Sequence, residues 1–335
     1  MSRLQLEDLS KKLGYSKTLI SMVLNGKGNQ YGISKKTQAT VLDAIAKLNY
    51  SPNKFAKSLR TGKSYFIGLI VTDIANPFYS TIAKNIESVL FESEYNLMVC
   101  STDESEEREK LLVEMMVNQQ GVDGLIVAST FKSSTFYEQA RFSKTPIVFI
   151  DRIVPLFNAN YVVIDNFGGS VNITNHLIKN GSKKIACFAI TPLYLSTIED
   201  RINGYRSAIA KSGLKKNDSL IKSITFNGIN EDVERSLREL MTSDADVDAI
   251  FALNNHIAVS LLKALKKKEF AKLSKVEIAC FDDIELFNIT DKKVVSVSQP
   301  IEEIGKSSSA LLLDIISGKQ LTKSNVVLST ELIVR

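Results

Sequence analysis

The stretch from residue 6 to residue 28, LEDLSKKLGYSKTLISMVLNGKG, decides the fold of the N-terminal part of the chain. Its first three leucines recur at the spacing of one helix face, and Gly14 is a typical helix stop. Ser16 is a good N-cap for a second helix over residues 17–25, which an Asn-Gly pair ends. Two short helices joined by a tight glycine turn predict a helix-turn-helix.

A third helix is predicted over residues 35–49, with Ser34 as its N-cap, so that residues 1–50 form an all-α head. Residues 1–63 hold twelve Lys and Arg against three Asp and Glu, a net charge of +9, whereas the remaining residues carry −4. A helix presented by its neighbours fits the DNA major groove, where its N-terminal residues face base edges and lysines hold phosphates. The head is therefore expected to bind DNA.

Residues 51–63 join the head to the rest of the chain. Ser51-Pro52 is an N-cap followed by a proline at the first helical position, which predicts the start of a short basic helix. A helix of this length is marginal by itself in water. The residues alone leave open whether the segment is a helix or a flexible linker.

Residues 64–335 alternate apolar, strand-like runs with helical stretches of about a dozen residues. Nearly continuous apolar strands with crossover helices predict parallel sheets covered on both faces, here as two Rossmann-like lobes. We expect the first lobe to contain residues 64–162 and 294–322, and the second to contain residues 163–293 and 323–335. The fold class is thus an all-α head followed by an α/β body.

Polar and aromatic side chains follow several of the predicted strands. Ligands bind beyond the carboxyl ends of such strands, here in a cleft between the lobes. Asp and Asn bond to neighbouring hydroxyls, Arg forms a planar fork, and Phe offers a ring face to a sugar or base. The candidate effector-binding residues are Asp73, Phe78, Arg152, Arg201, Asn254 and Asp282.

The head and hinge resemble the lactose-repressor/galactose-repressor (LacI/GalR) family of transcription factors, and the resemblance continues through nearly the whole chain. The residues that carry it in the head and hinge are Asp8, Gly14, Ser16, Ser21, Val23, Leu24, Asn25, Gly26, Ser34, Thr37, Val41, Leu48, Tyr50, Pro52, Asn53, Ala56 and Leu59. The resemblance implies a body of the periplasmic-binding-protein type I fold. It also implies a DNA-binding repressor controlled allosterically by a small molecule, most commonly a sugar or sugar derivative.

The resemblance also assigns roles in DNA binding. Lys17, Thr18 and Met22 correspond to the base-reading positions, and the other DNA-binding candidates are Ser21, Asn25, Ser34, Asn53, Ala56 and Leu59. Residues 51–63 would form a hinge helix that orders on operator DNA, with Leu59 as an apolar wedge in the minor groove. Met22 cannot pair with guanine and offers only apolar contact, for example to a thymine methyl. The expected partners are operator DNA, a sugar-like effector and a second copy of the chain, and no membrane.

Other function classes lack their sequence signals. No nucleotide-binding glycine motif follows a strand, no nucleophile elbow is present, and the chain has two histidines and three isolated cysteines, so no enzyme, cofactor or zinc site is expected. The cysteine usage and the lack of an apolar leader favour the cytoplasm, at the nucleoid. The absence of a trailing heptad helix favours a homodimer over a coiled-coil tetramer. The alternative is a solute-binding protein of a transport system, which fits the body but not the basic head.

Overall fold

The chain divides into two units, Met1–Ser64 and Tyr65–Arg335, which contain the head and the body. The computed structural model describes residues 6–48, 50, 62–139, 142–154, 160–242, 246–320 and 325–335. Most of the predicted hinge, with Asn53, Ala56 and Leu59, lies outside the described residues.

The head contains the three predicted helices, α1 (Leu6–Leu13), α2 (Lys17–Leu24) and α3 (Lys35–Lys47). The hydroxyl of Ser16 accepts a hydrogen bond from the Leu19 amide at 3.2 Å and begins α2. Ser34 caps α3 in the same way, through the Thr37 amide at 3.1 Å. The caps satisfy amides that a helix leaves without partners, so local sequence sets where both helices begin.

A small apolar core holds the three helices together. Leu9 of α1, Ile20 and Val23 of α2 and Val41 of α3 are buried in it. The apolar residues sit on the inner face of each helix, as the helical spacing predicts. The outer faces are thereby left to polar and basic side chains.

The first lobe of the body contains the strands β1 (Phe66–Val71), β2 (Asn96–Ser101), β3 (Gly124–Val127), β4 (Ile147–Ile150), β5 (Asn160–Ile164) and β11 (Asn325–Leu328), and the helices α4 (Pro77–Glu92), α5 (Glu106–Glu114) and α10 (Ile301–Ile316). The strands form a six-stranded parallel sheet in the order β11-β5-β4-β3-β1-β2. Helix α10 packs against α4 and against the strands β3, β4 and β5.

The second lobe repeats this plan with the strands β6 (Ile185–Ile190), β7 (Ile221–Ile224), β8 (Ala249–Ala252), β9 (Glu277–Phe281), β10 (Val294–Ser298) and β12 (Glu331–Ile333), and the helices α6 (Asn166–Lys179), α7 (Ser196–Lys211), α8 (Ile229–Thr242) and α9 (Asn255–Ala264). The strand order is β12-β10-β9-β8-β6-β7. The strands are parallel except β12, which runs antiparallel to β10.

Strand pairing corrects the predicted lobe limits at two strands. The prediction placed β10 in the first lobe and β11 in the second, but β10 pairs with β9 and β11 pairs with β5. Within the described residues, the chain crosses between lobes at Asp165, at Gln299-Pro300 and at Ser329-Thr330. The short apolar strands near the end of the chain look alike in sequence, and only pairing distinguishes the sheet that each one joins.

The predicted alternation of strands and helices and the two-lobed α/β architecture are confirmed. Nearly every residue of the central strands is buried, because helices cover both faces of each sheet. Among the described residues, the helices are too short or too polar to cross a membrane.

Candidate functional site

The predicted DNA-reading side chains share one face of α2. Lys17, Thr18 and Asn25 are exposed, and Ser21 and Met22 are half-buried. At 3.6 residues per turn, these five positions fall within an arc of about 140° of the helix surface. Met22 is not among the described residues that pack on the head core, so it lies on this face and not in the interior.

Two side chains of this face are positioned by neighbours. The ammonium group of Lys17 lies 2.9 Å from a carboxylate oxygen of Glu7 on α1, and both side chains are exposed. The hydrogen bond from Lys17 lowers the pKa of Glu7. Asn25 donates through Nδ2 to the Ser21 carbonyl at 2.6 Å. Ser34 is exposed and caps α3, so its hydroxyl already serves the helix.

A cleft lies between the two lobes of the body and is lined by side chains from both. The structure brings all six predicted effector-binding residues to the wall of this cleft: Asp73, Phe78, Arg152, Arg201, Asn254 and Asp282. They come from strand ends and helix starts in both lobes, because the carboxyl ends of both sheets face each other.

Arg201 of α7 is fixed at the second-lobe wall, with 4% of its surface exposed. Its Nε donates to Oδ1 of Asn166 at 2.8 Å, and its Nη1 donates to the Leu253 carbonyl at 2.7 Å. The guanidinium also stacks 3.8 Å above the ring of Phe281. Burial lowers the pKa of Arg201, and Asp282 acts in the opposite direction.

Asp282 follows β9 and is 6% exposed. Its carboxylate accepts hydrogen bonds from the Asn255 amide at 3.0 Å and from Nε2 of Gln299 at 2.5 Å. Burial raises its pKa to about 6, against the opposing charge of Arg201. Asp282 therefore links the start of α9 to the segment at which the chain crosses between lobes.

Arg152 stands on the first-lobe wall in a bidentate ion pair with Glu104. Nη1 and Nη2 each lie 2.6 Å from a Glu104 oxygen, and the two side chains are 6% and 8% exposed. Its Nε lies 3.5 Å from Asp151, whose carboxylate also accepts the Tyr79 hydroxyl at 2.8 Å. Burial acts to lower the pKa of Arg152, but Glu104, Tyr79 and Asp151 outweigh it and leave the pKa above its ordinary value.

Three cleft carboxylates have a left-handed backbone. The φ angles of Glu104, Asp151 and Asp282 are 60°, 63° and 112°. Each such residue costs about 1–3 kcal/mol, and such residues concentrate at ligand sites. The fold thus holds these carboxylates in place at a cost in backbone energy.

The other three predicted cleft residues also have local structural roles. Oδ1 of Asn254 accepts the Ile257 amide at 2.9 Å and caps α9, and Oδ1 of Asp73 accepts the Ala75 amide at 2.8 Å. The ring of Phe78 is 6% exposed and packs edge-on against Tyr79 with centroids 4.9 Å apart. These contacts orient the side chains at the cleft wall.

Hydrogen bonds connect the lobes across the cleft. Nδ2 of Asn255 in the second lobe donates to Oδ1 of Asn76 in the first at 2.8 Å. The hydroxyl of Tyr194 donates to Glu106 at 2.9 Å. The Ile153 amide donates to the Ser196 hydroxyl at 3.0 Å. A movement of one lobe against the other changes these contacts.

The sequence-based selection missed several cleft residues. Tyr79, Glu104, Asp151, His256 and Gln299 also line the cleft. Glu104 follows β2 and Asp151 follows β4, so the strand-end rule that selected Asp73 applies to both. The described residues contain no group of three or more His, Cys, Asp or Glu placed to hold a metal ion.

The chain is similar to known proteins in sequence and fold. Residues 64–334 match the family of periplasmic binding proteins and sugar binding domains of the LacI family. The ribose operon repressor of Halalkalibacterium halodurans is 31% identical over 330 residues, which cover 98% of this chain and 96% of the relative. The structure of the transcriptional regulator CelR in complex with cellobiose is similar with a TM-score of 0.70 and 27% identity, over 99% of both chains.

The lac repressor dimer bound to operator and the anti-inducer ONPF has the same fold, with a TM-score of 0.85 at 21% identity, over 100% of this chain and 98% of that one. The family match covers most of the chain, and the relatives extend over the head as well. The protein therefore belongs to the LacI family of transcriptional regulators.

Proposed function

We propose that the protein is a homodimeric repressor whose two heads bind the half-sites of a pseudo-palindromic operator in the cytoplasm, under control of a sugar-like effector bound between the lobes. The observation that carries this proposal is the pairing, in one chain, of an exposed reading face on α2 with a polar cleft walled by both lobes. The first suits DNA and the second suits a polyhydroxylated small molecule.

In the head, Lys17, Thr18 and Met22 read base edges, with Ser21, Asn25 and Ser34 beside them. The net charge of +9 over residues 1–63 supports backbone contacts that hold the head on the duplex. Asn53, Ala56 and Leu59 of the hinge segment complete the DNA contacts, Leu59 as the minor-groove wedge.

In the body, Asp73, Phe78, Arg152, Arg201, Asn254 and Asp282 contact the effector. A ligand that fits one arrangement of the lobes better than another shifts the balance between them. The bonds from Asn255 to Asn76 and from Tyr194 to Glu106 are the contacts that such a shift remakes. A coupling free energy of about 1–3 kcal/mol between the two sites is typical of such regulators.

Several large apolar side chains of the body are exposed to solvent. Phe91, Leu111 and Ile289 are 80%, 66% and 77% exposed. Large apolar side chains at the surface are favourable when a second copy covers them. Two heads held by one dimer match the two-fold symmetry of a palindromic operator.

A gel-shift titration with the DNA upstream of the protein's own gene tests the proposal. We expect tight, strongly salt-dependent binding, and a changed affinity when a sugar that stabilises the protein in a thermal-shift screen is added. The Leu59→Ala variant is expected to fold normally and to lose operator affinity. Sugar binding without any DNA binding would favour the solute-binding alternative, and wild-type affinity of Leu59→Ala would exclude the wedge.

A further inference from the structure

The charged side chains of the cleft are unbalanced. Among the described residues that line it, Asp73, Glu104, Asp151 and Asp282 are carboxylic acids, whereas Arg152 and Arg201 are the guanidiniums. Burial lowers the pKa of His256, which favours its neutral form. At neutral pH the carboxylates therefore outnumber the cations by two, and the cleft repels an anion.

Arg152 is the cation on which a phosphate group would most readily dock, because a guanidinium fork matches phosphate oxygens in a bidentate pair. Here Glu104 already fills that fork, with both oxygens at 2.6 Å. The pair is more than nine-tenths buried, so water screens it little. A phosphate would have to displace Glu104 and leave its carboxylate buried without a partner.

Arg201 is also occupied. Two of its nitrogens donate to Asn166 and to the Leu253 carbonyl, and Asp282 and Asp151 interact with its charge. These contacts fix Arg201 as part of the wall, where it can orient a hydroxyl group. They leave it poorly suited to neutralise a ligand with two negative charges.

The wall holds a buried acceptor and a buried donor that have no hydrogen-bond partner among the described residues. The acceptor is Oε1 of Gln299, whose Nε2 donates to Asp282, and the donor is Nε of Arg152, which lies 3.5 Å from Asp151. A sugar hydroxyl can donate to the first and accept from the second. A fully ionised phosphate only accepts hydrogen bonds, so it leaves Oε1 of Gln299 without a donor.

We propose that the cleft selects an uncharged polyhydroxylated sugar and rejects its phosphate esters, and that Glu104 determines this specificity by filling the guanidinium fork of Arg152. The inference rests on the proposed function, since it names the effector class of the same cleft. It adds a residue, Glu104, that the strand-end selection did not include.

Isothermal titration calorimetry on the full chain tests the selectivity. The probes are matched pairs: D-ribose and D-ribose 5-phosphate, D-glucose and D-glucose 6-phosphate, and D-fructose and D-fructose 1-phosphate. We expect an uncharged sugar to bind, and its ester to bind at least about tenfold more weakly. An ester that binds as tightly as its parent sugar, or a panel in which no uncharged sugar binds, would overturn the proposal.

The Glu104→Gln variant tests the mechanism. It removes the negative charge and one of the two acceptors that occupy the fork of Arg152, so ester affinity relative to the parent sugar is expected to rise about tenfold or more. Glu107→Gln removes an exposed carboxylate in the first turn of α5, three residues after Glu104, and controls for net charge alone. The gain should disappear in the double variant E104Q/R152Q. If the relative ester affinity changes equally in E104Q and E107Q, or does not rise in E104Q, the role of Glu104 is contradicted. If E104Q does not fold, the titrations of the wild type with the matched sugar pairs decide.

Gel shifts on the same preparations separate this inference from the proposed function. A protein that binds its operator and responds to a phosphate ester remains a regulator, but its effector class is not the one proposed here. If the protein binds uncharged sugars but no operator, the result agrees with this inference and contradicts the proposed function.

Discussion

In the head, the proposed base-reading residues Lys17, Thr18 and Met22 lie on the outer face of α2, above a core of four buried residues. In the body, Arg152, Arg201 and Asp282 of the cleft are buried and hydrogen-bonded to neighbouring residues. The head can therefore change its reading residues with little effect on folding. Changes to the charged residues of the cleft are expected to affect folding, because these residues also hold their neighbours in place.

The difference follows from where binding energy comes from in each region. Exposed basic side chains attract DNA through screened, long-range electrostatics and remain solvated in the free protein. Buried groups make stronger interactions, but an unpaired one is costly. Ligand binding in the body is therefore expected to be coupled to stability, and DNA binding in the head is not.

The largest effect is expected from Arg201→Ala. The change leaves Asn166 and the Leu253 carbonyl without a donor, and Asp282 without its nearest cation. Breaking such a buried group of contacts lowers the free energy of unfolding of the body by about 3–5 kcal/mol. Chemical denaturation followed by circular dichroism measures it.

Arg206→Ala is the matched control for this variant. Arg206 lies on the same helix but is partly exposed and pairs with Asp218 at 3.2 Å. Its removal is expected to leave the unfolding midpoint near that of the wild type. Equal destabilisation by both variants would show that the cleft is no more tightly coupled to stability than the surface.

Ile20→Ala should remove about 3 kcal/mol from the head, since Ile20 is fully buried in a four-residue core. So small a core supports little net stability, and the head is expected to unfold while the body stays folded. Two-dimensional NMR resolves the two sets of signals. Leu42→Ala, at a position 51% exposed, should leave both sets intact.

The architecture of the head could be predicted from sequence because its signals are local. Ser16 and Ser34 begin helices, and leucine spacing marks the inner faces. The strands of the body could be located for the same reason. The lobes to which β10 and β11 belong could not be predicted, because strand pairing depends on residues distant in sequence.

The cleft could be predicted in outline but not in its bonding. The rule that ligands bind at strand ends located Arg152 and Asp282. This rule could not indicate that Glu104 pairs with Arg152. The two residues are 48 positions apart in sequence, and their contact depends on the order of the strands in the sheet. The effector class proposed here depends on that pair, so it required the structure.

The pH dependence of stability should also differ between the regions. The pKa of Asp282 is about 6 in the folded protein against an ordinary value of 3.8, so the folded state binds its proton more tightly than the unfolded state. Asp282 therefore makes the body more stable as pH falls through 6 toward 4. The contribution is about 1 kcal/mol between pH 7 and pH 5. The free energy of unfolding of the wild type and of Asp282→Asn, measured at several pH values, isolates this contribution, because the other groups titrate in both proteins. If the two proteins show the same dependence of unfolding free energy on pH, the raised pKa of Asp282 is contradicted.

The smallest effect on stability is expected from Lys17→Ala, and it tests the comparison from the side of the head. Lys17 is exposed and pairs only with the exposed Glu7 among the partners given by the structure, so the melting temperature should not change measurably. Operator affinity should fall, and the plot of log affinity against log salt should become less steep, because one cation leaves the DNA-facing surface. Lys47→Ala, at the far end of α3 and paired with Asp43, is the control and should keep the wild-type slope. A lowered melting temperature with an unchanged slope would mean that Lys17 belongs to the fold of the head and not to its DNA surface.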